Sequence, residues 1–198
     1  WTMSSTLYVG PMGAGSLRID GGALVESDQG IIGGEIGNPG VGDGEVVISG
    51  TDGAGNASTW NSANLYVGAY STGSLAIEDG GEANTTGAGY VGYDAAGAGT
   101  VTISSGTGDV SRWNVTNEIS VGYNGDGSLT IEQGGTVAAG WDVQIARNAG
   151  SIGALSLRGD SGGRGVLETA AVVRGLGAAT LDLDGGVLRA TADETDFL

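Results

Sequence analysis

Glu78 and Glu132 stand at the same place in two copies of one segment, Leu75-Ala76-Ile77-Glu78 and Leu129-Thr130-Ile131-Glu132. Paired carboxyls are glycosidase chemistry: one is acid, the other base, and an inverting enzyme holds them about 6.5 to 9.5 Å apart to admit a water. Their sequence surroundings argue against that use. No basic residue sits with them, no long loop is at hand to wall a cleft, and both follow the repeat, whereas a catalytic site breaks a local rule. The chain has no histidine and no cysteine, which removes imidazole acid–base chemistry and thiol catalysis. The sequence therefore predicts no enzyme, no catalytic residue and no cofactor-binding residue.

Glycine-rich and aromatic residues invite ligand readings of their own. Gly13-Ala14-Gly15, Gly97-Ala98-Gly99 and Gly125-Asp126-Gly127 resemble pieces of a phosphate-cradling loop, but that loop opens a helix and each copy here opens a strand. Calcium-binding rolls need Gly-Gly-x-Gly-x-Asp in tandem nonapeptides. Only Asp43 and Asp126 lie in comparable loops, so no metal ligand is expected. Trp60, Trp113, Tyr70, Tyr93 and Tyr123 recur near the same points of a repeat. They read as a stripe for sugar or protein or, the preferred reading, as rings stacked on one another. Asn56-Ala57-Ser58, Asn84-Thr85-Thr86 and Asn114-Val115-Thr116 match the N-glycosylation pattern, which is short enough to arise by chance.

An element that returns must position these residues. Its cores are Leu17-Arg18-Ile19, Val46-Val47-Ile48, Leu75-Ala76-Ile77, Val101-Thr102-Ile103, Leu129-Thr130-Ile131, Leu155-Ser156-Leu157 and Leu181-Asp182-Leu183, 26 to 29 residues apart. That spacing is a solenoid period. Successive residues of a strand point to opposite faces. The outer two of each triplet are always Leu, Ile or Val and the central one is mostly polar or small, so one face is core and the other meets water. A second signal runs upstream in phase, as in Leu7-Tyr8-Val9-Gly10, Leu65-Tyr66-Val67-Gly68 and Ile119-Ser120-Val121-Gly122; a third follows the glycines, as in Ala23-Leu24-Val25 and Thr136-Val137-Ala138. Up to three short strands per period with glycine at the corners predicts an all-β chain, a right-handed parallel β-helix of about seven coils. Coils one, three, five and seven close with Asp20-Gly21-Gly22, Asp79-Gly80-Gly81, Gln133-Gly134-Gly135 and Asp184-Gly185-Gly186, the others with Ser49-Gly50, Ser105-Gly106 and Arg158-Gly159. The repeating unit is thus a pair of coils. The position after the triplet carries Asp20, Ser49, Glu78, Ser104, Glu132, Arg158 and Asp184, which keeps acids about 9.6 Å apart on the ladder instead of 4.8 Å.

The repeat runs nearly the length of the 198 residues, so residues 1–198 are read as one elongated domain without a second module. The 42 glycines keep a period, unlike those of a disordered low-complexity chain. Absence of cysteine excludes a disulfide framework and suits an exported chain. A net charge of −16, from 23 acidic and 7 basic residues, argues against nucleic acid and anionic lipid as partners. No stretch approaches the length of a membrane span. Trp1 precedes Leu7-Tyr8-Val9 as Trp60 precedes Leu65-Tyr66-Val67, and Asp193-Glu194-Thr195-Asp196-Phe197-Leu198 supplies no polar cap; the chain is expected to be a fragment of a longer solenoid.

The units Leu65-Tyr66-Val67-Gly68, Gly73-Ser74-Leu75-Ala76-Ile77-Glu78-Asp79-Gly80-Gly81, Gly99-Thr100-Val101-Thr102-Ile103-Ser104 and Leu181-Asp182-Leu183-Asp184-Gly185-Gly186-Val187-Leu188-Arg189-Ala190 resemble passenger domains of bacterial autotransporters, the type V secretion adhesins of Gram-negative outer membranes. The resemblance covers nearly the whole chain. It implies a cell-surface or secreted β-helix that acts as an adhesin or self-association stalk, with a host-surface, matrix or glycan ligand or a sister copy as partner. The signal peptide and membrane barrel of such proteins are not among these residues, and the fragment itself is not expected to span a membrane. No family-wide catalytic residues exist to carry over. From another class, a β-helical polysaccharide lyase or hydrolase is the alternative; an inert structural spacer is a third.

Overall fold

The computed structural model describes residues 1–35, 37–106, 108–192 and 197–198. The seven triplets lie on the strands Gly15–Asp20, Gly44–Ser49, Thr72–Glu78, Ala98–Ser104, Asp126–Glu132, Ile152–Asp160 and Ala178–Asp184. These pair in parallel and in one register: Leu17, Val46, Leu75, Val101, Leu129, Leu155 and Leu181 follow one another, each level with the next. This stack is face one of a parallel β-helix. The signal after the glycines becomes face two, including Glu82–Thr85, Arg112–Val115, Thr136–Ala139, Val166–Thr169 and Val187–Ala190. The upstream signal becomes face three, including Thr6–Val9, Gly89–Val91, Ile119–Val121, Val143–Ile145 and Val172–Arg174. In the first two coils, Leu24–Ile32 and Thr59–Val67 each serve both faces as one strand and pair with each other along both halves. No helix occurs among the described residues, hence none that could cross a membrane.

Turn chemistry explains the alternation of coils. In coils one, three and five, faces one and two are joined by a tight turn in which Ala23, Gly81 and Gly135 donate N–H to the carbonyls of Asp20, Glu78 and Glu132. Both central residues have positive φ, Asp79 at 51° and Gly80 at 89° for example, which is the I′ geometry. Asp20 therefore stands level with Glu78, and Gly21 with Asp79; matching Asp20-Gly21-Gly22 to Asp79-Gly80-Gly81 by composition is out by one, because the carbonyl that closes the turn sets the register. Coils two and four take longer routes. Their chains return through Ser58 and Ser111, both fully buried, whose Oγ atoms accept from the N–H of Gly22 at 3.1 Å and of Gly80 at 3.0 Å. The pair of coils is thus also a hydrogen-bonding unit.

The interior repeats on the same two-coil period. On face two the inward column reads Val25, Trp60, Ala83, Trp113, Val137, Leu167. Each indole reaches toward the preceding coil, where glycine leaves it room: a Cβ on Gly30 would lie 2.5 Å from Trp60 Cζ2, and one on Gly89 would lie 2.6 Å from Trp113 Cζ2. Each indole N–H also finds a partner on that coil, Ser27 Oγ at 3.1 Å and Thr85 Oγ1 at 3.2 Å. Thr2 bridges to Glu26, which sets Trp1 level with Val25 and in line with Trp60 and Trp113. Residues 193–196, most of the segment read as lacking a cap, lie outside the described residues.

Candidate binding surface

Glu78 and Glu132 face outward on face one with Ser104 between them, paired to both, so the acids keep the alternate-coil spacing that the sequence predicts. The expectation that no basic residue attends them is overturned for Glu132. Arg158, one coil further along the ladder, brings Nη1 to 3.6 Å from Glu132 Oε2. At the other end of the row Arg18 donates Nε to Asp20 at 2.8 Å and Nη2 to Ser49 Oγ at 2.8 Å. The row is an exposed charge ladder. Neither glutamate lines the hollow of about 550 Å³ beside Asn114 or that of about 320 Å³ beside Asp43 and Glu45. Asp43 and Asp126 sit on different coils, and among the described residues no three acidic groups gather closely enough to hold a metal ion.

The asparagines of the glycosylation pattern are engaged with neighbours. Asn84 Nδ2 donates to Asn61 Oδ1 at 3.1 Å and Asn114 Nδ2 to Asn84 Oδ1 at 2.9 Å, a ladder up face two. Asn56 Nδ2 donates to Asp52 Oδ2 at 2.7 Å, and those hydrogen bonds hold the Asp52 carboxyl below its ordinary range. Where Ala138 replaces asparagine the ladder stops, leaving an open hollow of about 550 Å³ beside Asn114, Thr116 and Glu168.

The aromatic residues divide. Trp60 and Trp113 are 1% and 0% exposed, so they belong to the core and not to a surface stripe; an inward strand position outweighs nearness to a corner. The tyrosines do gather, and Tyr66 and Tyr90 join the three at the corners. Tyr66 and Tyr90 point outward from the centres of two face-three strands that are level with each other. Tyr70, Tyr93 and Tyr123 project from the following corner of coils two, three and four. One coil step brings rings of the same column into parallel contact, Tyr66 on Tyr90 at 4.9 Å and 14°, Tyr93 on Tyr123 at 5.1 Å and 17°. The columns meet edge to face, Tyr66 with Tyr93 at 5.0 Å and Tyr90 with Tyr93 at 5.2 Å. The central position of Leu65-Tyr66-Val67 and Gly89-Tyr90-Val91 was the available signal, since it must face out.

Burial, reinforced by the neighbouring phenols, pushes the Tyr66 hydroxyl up to about 12. Tyr70 and Tyr90 are raised as well, by burial first, then by Tyr93 and Asp94 for Tyr70 and by Glu118 for Tyr90. All five rings are only partly buried, and among the described residues no buried side-chain polar atom lacks a partner. One end of the cluster is capped. Arg147 occupies on coil five the place that Tyr123 has on coil four, as their backbone hydrogen bonds to Gly122 and Gly92 show. Its guanidinium lies over the Tyr123 ring, 5.2 Å from the centroid, while Nη1 is ion-paired with Glu118 and 3.4 Å from Ser120 Oγ.

The chain matches no protein-family model, no curated protein and no solved structure.

Proposed function

We propose that the protein is a passenger-type β-helix of a Gram-negative cell surface or its secreted material, acting as an adhesin or self-association stalk and not as an enzyme. The tyrosine cluster carries this reading. Five phenols on three successive coils form a rigid, half-exposed, amphipathic patch, and tyrosine supplies contact area at low cost in side-chain entropy. A structural spacer gains nothing from such a surface. The passenger assignment rests on the repeat units quoted above, and the exclusion of nucleic acid rests on the net charge of −16.

Binding of the purified chain to arrays of glycans and matrix proteins, with Tyr93→Ala as the comparison, tests the reading. Retention that is lost in the variant supports it; failure to bind either array favours the spacer. Incubation with pectins, alginates and bacterial polysaccharides, following reducing ends and unsaturated products, tests the other class. No turnover is expected. Turnover abolished by Glu78→Gln or Glu132→Gln would make the protein an enzyme.

A further inference from the structure

The two ends of the tyrosine cluster differ in one respect. At the Tyr123 end, ring, carboxylate and cation are all present, because Arg147 lies over the ring and pairs with Glu118. At the other end stands Tyr70, edge to face with Tyr93 at 6.1 Å and influenced also by the Tyr8 phenol. Asp94, the residue after Tyr93, donates its N–H at 2.9 Å to the carbonyl of Ala69, the residue before Tyr70, and with burial and Tyr93 it raises the Tyr70 hydroxyl. Asp94 Oδ1 accepts the N–H of Ala96 at 3.1 Å, and the carboxylate has no ion-pair partner among the described residues. Aromatic and acidic groups thus occur at both ends and, among the described residues, the cation at only one.

We propose that the corner formed by Tyr70, Tyr93 and Asp94 receives an arginine side chain from a basic segment of a partner protein, seated as Arg147 is seated on Tyr123 and Glu118. This rests on the reading of the cluster as a binding surface and names its partner. Charge complementarity selects that occupant. A chain of net charge −16 draws cationic segments toward it and repels anionic ones, and a guanidinium gains from an aromatic ring and from a carboxylate together. Its planar fork can stack on the Tyr70 ring while donating to Asp94.

The test is fluorescence anisotropy of a labelled Arg-Gly-Ser repeat peptide at physiological ionic strength, with the same peptide carrying lysine or glutamate in place of arginine as comparisons. Tyr70→Leu and Asp94→Asn should each weaken binding by about threefold or more, while Tyr70→Phe, which keeps the ring, should stay within about twofold. Asparagine keeps the acceptor for Ala96, so the turn survives, and circular dichroism checks each variant for folding. Glu45→Gln removes the same charge from an exposed strand position elsewhere and should leave the affinity within about twofold. Equal losses in Asp94→Asn and Glu45→Gln would overturn the proposal by reducing the attraction to the general field. Wild-type affinity in Tyr70→Leu would overturn it as well. Tyrosine-dependent capture of a neutral glycan without peptide binding would overturn the arginine site and leave the binding surface standing; loss of both would remove the surface itself.

Discussion

Trp113 and Gly89 act as one packing unit, since the indole occupies the space a side chain on the preceding coil would take. Trp113→Ala should cost about 3 to 5 kcal/mol, the range for emptying a large buried aromatic site. Gly89→Ala should cost about 1 to 3 kcal/mol by overpacking. Because the second loss exists only while the indole is there, Gly89→Ala combined with Trp113→Leu should cost less than the two single changes added, as read from urea unfolding midpoints. The Tyr66 hydroxyl offers a second residue-scale test. Its folded value of about 12 lies above the ordinary 10.0, so the folded state holds its proton where the unfolded state has lost it. That contribution is complete below pH 10, declines as pH rises and is gone above about 12. Melting temperature should fall through this window, and Tyr66→Phe, which has no proton to lose, should flatten the fall.

A strand of this fold is supported by the coil on either side, so an interior substitution is felt by three coils. Leu129 is 0% exposed and level with Val101 and Leu155, and Leu129→Asp would place an unpaired charge in a column of aliphatic side chains. A large drop in melting temperature and loss of protection in the flanking strands by hydrogen exchange are expected; an unchanged midpoint would count against the column. The corners have their own weak point. Ser111 accepts from Gly80 N–H and donates to Ser104 carbonyl at 2.8 Å, so Ser111→Ala should cost about 1 to 3 kcal/mol by stranding a buried donor. Breaking the exposed pair of Arg158 and Glu132 should cost less than about 1 kcal/mol.

At the scale of the molecule, the strands Gly15–Asp20 and Ala178–Asp184 are the outer members of the parallel stack on face one. Unpaired strand edges seek partners, and a net charge of −16 opposes the approach of a second copy. Repulsion reaches about 30 Å at 0.01 M salt but only about 8 Å at physiological ionic strength. Light scattering from 0.01 to 0.5 M NaCl should therefore show mass rising with salt; a mass that falls would point to a lateral contact between opposite charges.

Much of this architecture is legible in one dimension, and the reason is the solenoid itself. Each residue meets its equivalent one period away, so the spacing of Leu75, Val101, Leu129 and Leu155 already states their register, and alternation within each triplet states which side chains turn inward. The acid row and its spacing follow from the same rule. Corners obey no such rule. Whether an aromatic beside a turn points inward, as Trp113 does, or outward, as Tyr123 does, depends on which carbonyl closes the turn and on the φ of the residues after it. Only the folded chain could decide that Arg158 meets Glu132, that Gly89 makes room for an indole, and that tyrosines of two columns interlock with Arg147 at one end and Tyr70 at the other, because those contacts are set by side-chain direction at bends that periodicity does not encode.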